Sequence, residues 1–230
     1  MKQLFIPALM LLSFGAPLLV AESFLKNGDQ VLFLGDSITV ASTTKTGFVT
    51  LIDQTLDERY PDNQIQFQTI AKGGRGIKFL KSAIQSKMMP EHPDVVVIFI
   101  GINDVRLIED NKGSPPDEYR VILKKLIASC KAMGAKVVVC SPAVRGEKTK
   151  GHNPYDVLID EYAQVCREVA AETESVFIDL RTGFMDELSR INLNNDEAGH
   201  LTKDGIHPNA AGNKFIANTL LTQWGYTPIP

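Results

Sequence analysis

The chain has 230 residues, and its composition is that of a globular protein with a small excess of negative charge. Hydrophobic residues make up 44% of the sequence, which is enough for one sizeable core and favours one domain over two. Lys and Arg number 24 against 27 Asp and Glu, a net charge of −3, and the basic residues form no stripe. The composition therefore argues against nucleic acid and anionic membrane surfaces as partners.

The first residues have the features of a secretory signal peptide. Lys2 is followed by an apolar run over residues 4–20 and then by the small residue Ala21. A retained membrane anchor is the alternative, but Pro and Gly interrupt the run and leave it short for a bilayer span. We therefore predict that residues 1–21 are removed and that the protein is secreted or periplasmic, with no stable membrane anchor. Residues 22–230, with 23 basic and 27 acidic side chains and a net charge of −4, are predicted to form a single domain.

Strand-like and helix-like segments alternate along the rest of the chain. In chain order we predict a strand at 31–35, a helix at 48–60, a strand at 65–70, a helix at 78–87, a strand at 93–101, a helix at 114–134, a strand at 135–142, a helix at 153–172, a strand at 175–180, and helices at 182–191 and 209–221. The strand at 93–101 is apolar on both faces, so both must be covered, as in a parallel sheet layered by helices. For the helix at 153–172, Asn153 is the expected N-cap and Pro154 the expected first-turn residue. The pattern predicts an α/β fold, a three-layer α/β/α domain with a five-stranded parallel sheet.

The three cysteines, Cys130, Cys140 and Cys166, each lie in a stretch with apolar periodicity. An exported protein can form disulfides, but three cysteines cannot all pair within one chain. Two arrangements stay open, namely three buried free thiols or one disulfide with one free thiol. No CxxC motif or His/Cys cluster in the sequence indicates a metal site.

Short polar segments follow the predicted strands. They are Gly35-Asp36-Ser37, the glycine-rich segment AKGGRG at 71–76, GIND at 101–104 and, beyond the fifth strand, DGIHP at 204–208. In an open parallel sheet the carboxyl ends of the strands share one edge, where ligands bind. We therefore expect a hydroxyl, a glycine-rich turn, an amide, a carboxylate and an imidazole to converge at that edge.

This set of groups is suited to acyl transfer. The Ser37 hydroxyl would be a weak nucleophile without a base within hydrogen-bond reach. Histidine is the usual base because its imidazole is largely neutral at pH 7, and His207 is the candidate. Asp204, three residues earlier, could accept a hydrogen bond from the other ring nitrogen and fix the tautomer.

The tetrahedral intermediate of acyl transfer also needs hydrogen-bond donors for its oxyanion. The candidates are the backbone N–H of Ser37, a glycine N–H from the turn at 73–76 and the side-chain amide of Asn103. We expect Asn103→Ala to reduce activity with little loss of stability. Asp36 and Asp104 are interpreted as structural, since Asp commonly holds turns through local hydrogen bonds.

The four segments, in this order, resemble the blocks of the SGNH subgroup of the GDSL esterase/lipase family. The resemblance covers the chain after the leader and implies that Ser37, Asp204 and His207 form the catalytic triad, with Ser37, Gly76 and Asn103 as oxyanion donors. It also implies a flavodoxin-like strand order of 2-1-3-4-5 and no cofactor. One departure is Ala71, where family members often carry Asn, and Gly73 and Gly74 are the alternatives to Gly76 as donor.

We therefore predict a secreted serine esterase that hydrolyses carboxylic esters through an acyl-enzyme, with short acyl groups such as O-acetyl on carbohydrates as substrates. A lysophospholipase- or thioesterase-type lipid acylhydrolase is the first alternative, and a non-catalytic carbohydrate-binding module on the same fold is the second. Arginines 75, 106 and 145 lie near the active edge as possible substrate contacts, whereas histidines 92, 152 and 200 lack the spacing of ligands.

Overall fold

The computed structural model describes residues 23–85, 92–108, 110–149 and 153–230. The predicted signal peptide, residues 1–21, lies outside the described residues, as does the end of the helix predicted at 78–87. Cleavage of the leader and the domain division at residue 22 therefore stay predictions. No helix in the described ranges is long and apolar enough to cross a bilayer.

Five parallel strands form the central sheet, in the order β2-β1-β3-β4-β5. The strands are β1 Gln30–Gly35, β2 Gln66–Ala71, β3 Val95–Phe99, β4 Lys136–Cys140 and β5 Val176–Ile178. All five residues of β3 are buried, because this strand lies in the middle of the sheet between β1 and β4. The predicted five-stranded parallel sheet and its order are confirmed.

Helices connect the strands and cover the sheet. They are α1 Ser37–Ala41, α2 Phe48–Arg59, α3 Ile77–Gln85, α4 Ile102–Leu107, α5 Pro116–Ala132, α6 Asp156–Glu172, α7 Leu180–Ile191 and α8 Ala210–Gln223. The step from β1 to β2 runs opposite to the later steps, so right-handed crossovers place α2 on one face of the sheet and α3, α5 and α6 on the other. In agreement, α2 packs against α8, and α5 packs against both α3 and α6. The result is the predicted three-layer α/β/α arrangement.

The predicted N-cap of α6 was wrong. The helix begins at Asp156 with Tyr155 as the residue before it, so Asn153 and Pro154 precede the first turn. Asn153 instead accepts a hydrogen bond from Tyr155 N at 3.2 Å and donates through its amide to the backbone oxygens of Arg145 and Gly146. Its side chain joins the loop after β4 to the start of α6, and these contacts replace the capping bond.

The core includes all three cysteines as free thiols, which is the first of the two arrangements left open by the sequence. Burial raises the pKa of the Cys130 and Cys166 thiols to about 12. A thiol with so high a pKa is almost entirely protonated at neutral pH and is therefore a poor nucleophile.

Candidate active site

Ser37 lies at the carboxyl end of β1, where the strand turns into the short helix α1. Asp36 is the N-cap of α1, and its Oδ1 accepts a hydrogen bond from Ile38 N at 2.9 Å. Gly35 is required before it, because a Cβ there would lie 2.7 Å from the carbonyl oxygen of Phe99 on the neighbouring strand. The tight turn leaves Ser37 as the first residue of α1 and only partly buried.

The Ser37 hydroxyl lies next to the imidazole of His207, 170 residues further along the chain. The Ser37 Oγ to His207 Nε2 distance is 2.8 Å, and His207 Nδ1 lies 2.7 Å from Asp204 Oδ2. With a proton on Nδ1, the ring donates to the carboxylate and leaves Nε2 free to accept the Ser37 proton. These three predicted site residues are brought together in a single hydrogen-bonded chain.

Asp204 also accepts backbone hydrogen bonds that stabilise its charged form. Its Oδ1 accepts from His207 N at 2.8 Å and from Ile206 N at 3.1 Å. Although partial burial acts to raise the pKa of Asp204, these bonds and the contact with the His207 ring lower the pKa below its ordinary value. Asp204 is therefore an ionised acceptor for the imidazole near neutral pH.

The loop that carries Asp204 and His207 is fixed at both ends. Lys203 N donates to His207 O at 2.9 Å, and Thr202 forms an isolated antiparallel bridge with Pro208. Immediately afterwards, Asn209 caps α8 by accepting from Gly212 N at 3.0 Å. These contacts within the loop hold the imidazole at the site.

Asn103 is buried at the start of α4, directly behind β3. Its Nδ2 lies 3.1 Å from Asp36 Oδ2 and 3.3 Å from Arg75 O, and its Oδ1 accepts from Arg106 Nε at 3.4 Å. The amide therefore connects the turn after β1 with the glycine-rich turn after β2. Both of its N–H groups already have acceptors, of which the Arg75 carbonyl is the more distant.

Two buried carboxylates surround this amide. Asp36 and Asp104 are each 1% exposed, and burial raises the pKa of both to about 6. Asp104 accepts hydrogen bonds from Ile77 N at 2.9 Å and Ser114 N at 3.1 Å, so its carboxylate joins α4 to the start of α3 and to the segment before α5. The structural roles predicted for Asp36 and Asp104 agree with these contacts.

The glycine-rich turn has two sides. On one side, a Cβ at Gly73 would lie 3.7 Å from the Cβ of Ser37, so this residue borders the nucleophile. On the other, a Cβ at Gly76 would lie 2.6 Å from the carboxyl carbon of Asp104, so no larger residue fits without displacing that buried acid. Gly76 therefore has a steric reason to be glycine, while its part as an oxyanion donor stays a prediction.

The other basic residues near the active edge have different surroundings. Arg75 and Arg106 are exposed and line a cavity beside the glycine-rich turn, whereas the Arg145 guanidinium stacks 3.5 Å from the ring centre of Tyr155. His200 lies 3.2 Å from Asp196. His152 lies outside the described residues, and His92 is exposed.

One important residue was missed by sequence reasoning. Glu147 is fully buried in the loop after β4, and its carboxylate accepts four hydrogen bonds from the segment His200–Thr202, just before Asp204. It lies in the polar stretch RGEKTK, where the sequence contains no signal that separates a buried Glu from an exposed one. Among the described residues, no group of three or more His, Cys, Asp or Glu is arranged to hold a metal ion.

Comparisons with known proteins agree with this fold. The family model of the GDSL-like Lipase/Acylhydrolase family matches residues 33–215. An acetylxylan esterase from Geobacillus stearothermophilus is 27% identical over 217 residues, which cover 87% of this chain and 95% of the relative. An isoamyl acetate-hydrolyzing esterase 1 homolog from Rattus norvegicus is 27% identical over 207 residues, 81% of this chain and 78% of the relative.

The solved structures similar to this chain include acetyl xylan esterases. The crystal structure of an acetyl xylan esterase called AlAXEase has a TM-score of 0.80 at 31% identity, covering 84% of this chain and 98% of its own. Two structures of the Geobacillus enzyme, at a TM-score of 0.77 and 26% identity, are of catalytic mutants in which a serine or a histidine is replaced by alanine; each covers 88% of this chain and 96% of its own.

Proposed function

Because the chain belongs to the GDSL-like lipase/acylhydrolase family and is a carboxylic ester hydrolase, we propose that it removes acetyl groups from carbohydrates through an acyl-enzyme on Ser37. The observation that carries this proposal is the hydrogen-bonded chain from Ser37 Oγ to His207 Nε2, 2.8 Å, and from His207 Nδ1 to Asp204 Oδ2, 2.7 Å. A serine hydroxyl, a base and an orienting carboxylate at these distances form the arrangement that nucleophilic acyl transfer requires.

In the proposed reaction, Ser37 Oγ attacks the ester carbonyl while His207 Nε2 takes the hydroxyl proton. Asp204 accepts the Nδ1–H bond and stabilises the imidazolium that forms. His207 then gives the proton to the departing sugar hydroxyl, which leaves an acetyl group on Ser37. A water molecule, deprotonated by His207, attacks the acyl-enzyme and releases acetate, and the proton returns to Ser37.

The proposed oxyanion donors are the backbone N–H groups of Ser37 and Gly76 and the side-chain amide of Asn103. Ser37 N–H belongs to the first turn of α1, where helix N–H groups have no partner within the helix. An oxyanion would compete for the Asn103 N–H that now points to Arg75 O at 3.3 Å, the longer of its two contacts. The contact with Asp36 would then keep the amide oriented during the reaction.

A short acyl group on a sugar is the substrate that the relatives support best. The matching proteins are an acetylxylan esterase and an isoamyl acetate-hydrolyzing esterase 1 homolog, and the substrates in both names carry an acetyl group. The proposal is for a secreted or periplasmic enzyme, which would meet acetylated polysaccharide outside the cytoplasm. The leader at residues 1–21 is the sequence feature that supports this location.

The test combines turnover with labelling of the nucleophile. Wild-type protein should hydrolyse p-nitrophenyl acetate and acetylated xylooligosaccharides and should react with a fluorophosphonate probe. Ser37→Ala should lose both ester hydrolysis and labelling by the probe. Ser42→Ala, which alters a buried serine bonded to Thr39 O, should still be labelled. Labelling that persists in folded Ser37→Ala would rule out Ser37 as the nucleophile.

A chain-length series then separates the acetyl esterase from the lipid acylhydrolase. We expect kcat/KM to be highest for the two-carbon acyl group and to fall as the chain lengthens. A maximum at eight or more carbons would support the lipid substrate instead. Folded wild-type protein that neither labels nor hydrolyses any ester would contradict the proposed reaction as a whole.

A further inference from the structure

The cavity beside the glycine-rich turn lies outside the cluster of Ser37, Asp204 and His207. Its volume is about 600 Å³. We name it the basic cavity for its charged lining residues, which are Lys72, Arg75, Lys78, Asp104, Arg106 and Lys112. Five cations against one carboxylate stand out in a chain whose net charge is −3.

Ion pairs balance only part of the positive charge in the basic cavity. Two of its cations have acidic partners, Lys78 with Glu118 at 2.8 Å and Lys112 with Asp110 at 3.7 Å. The remaining three have no ion pair with any residue that the structure describes; they are Lys72, Arg75 and Arg106. All three side chains are exposed, so an anion from solution can reach them.

Two sets of contacts place the basic cavity next to the candidate active site. Gly73, which borders Ser37, lies between Lys72 and Arg75 in the same turn. Its Cα is two residues, and therefore at most about 7 Å, from the Cα of Arg75. Arg106 Nε donates to Asn103 Oδ1 at 3.4 Å, and Asn103 in turn contacts Asp36 beside Ser37. The basic cavity therefore lies beside the turn that borders the reacting serine.

We propose that the basic cavity binds an anionic sugar of the acetylated glycan, so that the enzyme prefers acetyl esters on acidic oligosaccharides. This inference rests on the proposed carbohydrate esterase function. The anion would be a carboxylate, as in a uronic acid, or a sulfate ester, because both present oxygens that Arg and Lys bind through charge-assisted hydrogen bonds. Lys72 and Arg75 would contact it directly.

Binding can be measured without turnover. Calorimetric titration of Ser37→Ala would compare three xylooligosaccharides of equal length: one neutral, one with a glucuronic acid side group and one with a sulfate ester. We expect one or both anionic ligands to bind about tenfold more tightly than the neutral one. The two anionic arms identify which group the cavity accepts, and equal affinity for all three ligands would overturn the proposal.

Charge removal tests whether the preference comes from this cavity. In Lys72→Gln/Arg75→Gln, made in the Ser37→Ala background, the roughly tenfold preference should disappear, because the two charges that would bind the anion are removed. Neither side chain has an ion pair to lose with a described residue, so folding should be unaffected. Lys26→Gln, at an exposed lysine before the amino end of β1 and thus at the opposite edge of the sheet, should keep it. A preference that survives in the double variant would place the anion site elsewhere.

Salt provides an independent readout on the active enzyme. The ratio of kcat/KM for anionic and neutral acetylated substrates should decrease as ionic strength rises from about 0.01 M to about 0.5 M, because salt screens exposed charges. A ratio near one at low salt, in an enzyme that hydrolyses both substrates, would contradict the anionic preference alone. Absence of hydrolysis would contradict the esterase proposal, while the titrations would still report on the cavity.

Discussion

The carboxylate of Glu147 accepts hydrogen bonds from both the backbone N–H and the hydroxyl of Thr202, with the hydroxyl bond at 2.7 Å. The same carboxylate accepts from His200 N and Leu201 N, each at 2.8 Å, and has no solvent exposure. The Thr202 hydroxyl oxygen in turn accepts from Gly205 N at 2.9 Å. Because Asp204 and His207 lie in this loop, Glu147 fixes the backbone from which the candidate base projects.

We expect Glu147→Gln to reduce kcat and stability together. The glutamine NH2 group would face backbone N–H donors at a position where the glutamate has an acceptor oxygen. A buried donor left without an acceptor costs about 1–3 kcal/mol of unfolding free energy. Displacement of the imidazole by about 1 Å can reduce kcat by up to about 100-fold. The measurements are urea denaturation and kcat for p-nitrophenyl acetate. Glu197→Gln is the control, because the side chain of this neighbour is exposed and pairs with Lys148. Equal kcat in both variants would contradict the positioning role.

Asn103→Ala should lose activity and stability, in contrast to the small stability effect expected from the sequence. Without the amide, Asp36 Oδ2 loses its donor in a buried site, which costs about 1–3 kcal/mol of unfolding free energy. Loss of an oxyanion donor lowers kcat by about 100- to 1000-fold. Urea denaturation measures the unfolding free energy, and kcat for p-nitrophenyl acetate is measured well below the unfolding temperature. A variant with wild-type kcat would remove Asn103 from the proposed oxyanion site.

The elements with strong periodicity could be predicted from the sequence, and those without it could not. Strand β3 was recognised because a strand apolar on both faces has to lie in the middle of a layered sheet. The helices α1 and α4, of five and six residues, were missed because so short a segment does not complete two turns of a hydrophobic pattern. The N-cap of α6 was misplaced because the side chain of Asn153 has other backbone partners nearby.

The candidate site divides in the same way. Ser37, His207 and Asp204 could be named because each follows a strand or precedes the last helix within a recognisable segment. Glu147 and the basic cavity could not be, because their character depends on burial and on which loops meet. Arg75 and Arg106 could be placed near the active edge as candidate substrate contacts, but Lys72 could not, and only the fold of the chain collects all three around one cavity.

The two glycines that flank the turn after β2 make a matched pair of variants. Gly76→Ala would place a methyl group against the buried Asp104 carboxylate, so we expect a loss of about 1–3 kcal/mol in unfolding free energy and a lower kcat. Gly73→Ala would add only an ordinary contact at 3.7 Å from Ser37 Cβ, so its stability should stay within about 0.5 kcal/mol of wild type. Denaturation and kcat measurements on both proteins test this, and wild-type stability in Gly76→Ala would refute the steric assignment.

Asp104 should make the protein less stable as pH rises through the weakly acidic range. Burial raises the pKa of this carboxyl from its ordinary 3.8 to about 6, so between these values the folded state holds a proton that the unfolded state has lost. Raising the pH from about 4 to about 7 therefore removes about 2 kcal/mol of unfolding free energy through this group. Asp104→Asn cannot titrate, so the stability of wild type relative to this variant should fall by that amount over the interval. Denaturation at several pH values measures the difference in unfolding free energy. Asp62→Asn, at an exposed position, is the control, and its difference from wild type should change by less than about 0.5 kcal/mol. A difference independent of pH for Asp104→Asn would contradict the raised pKa.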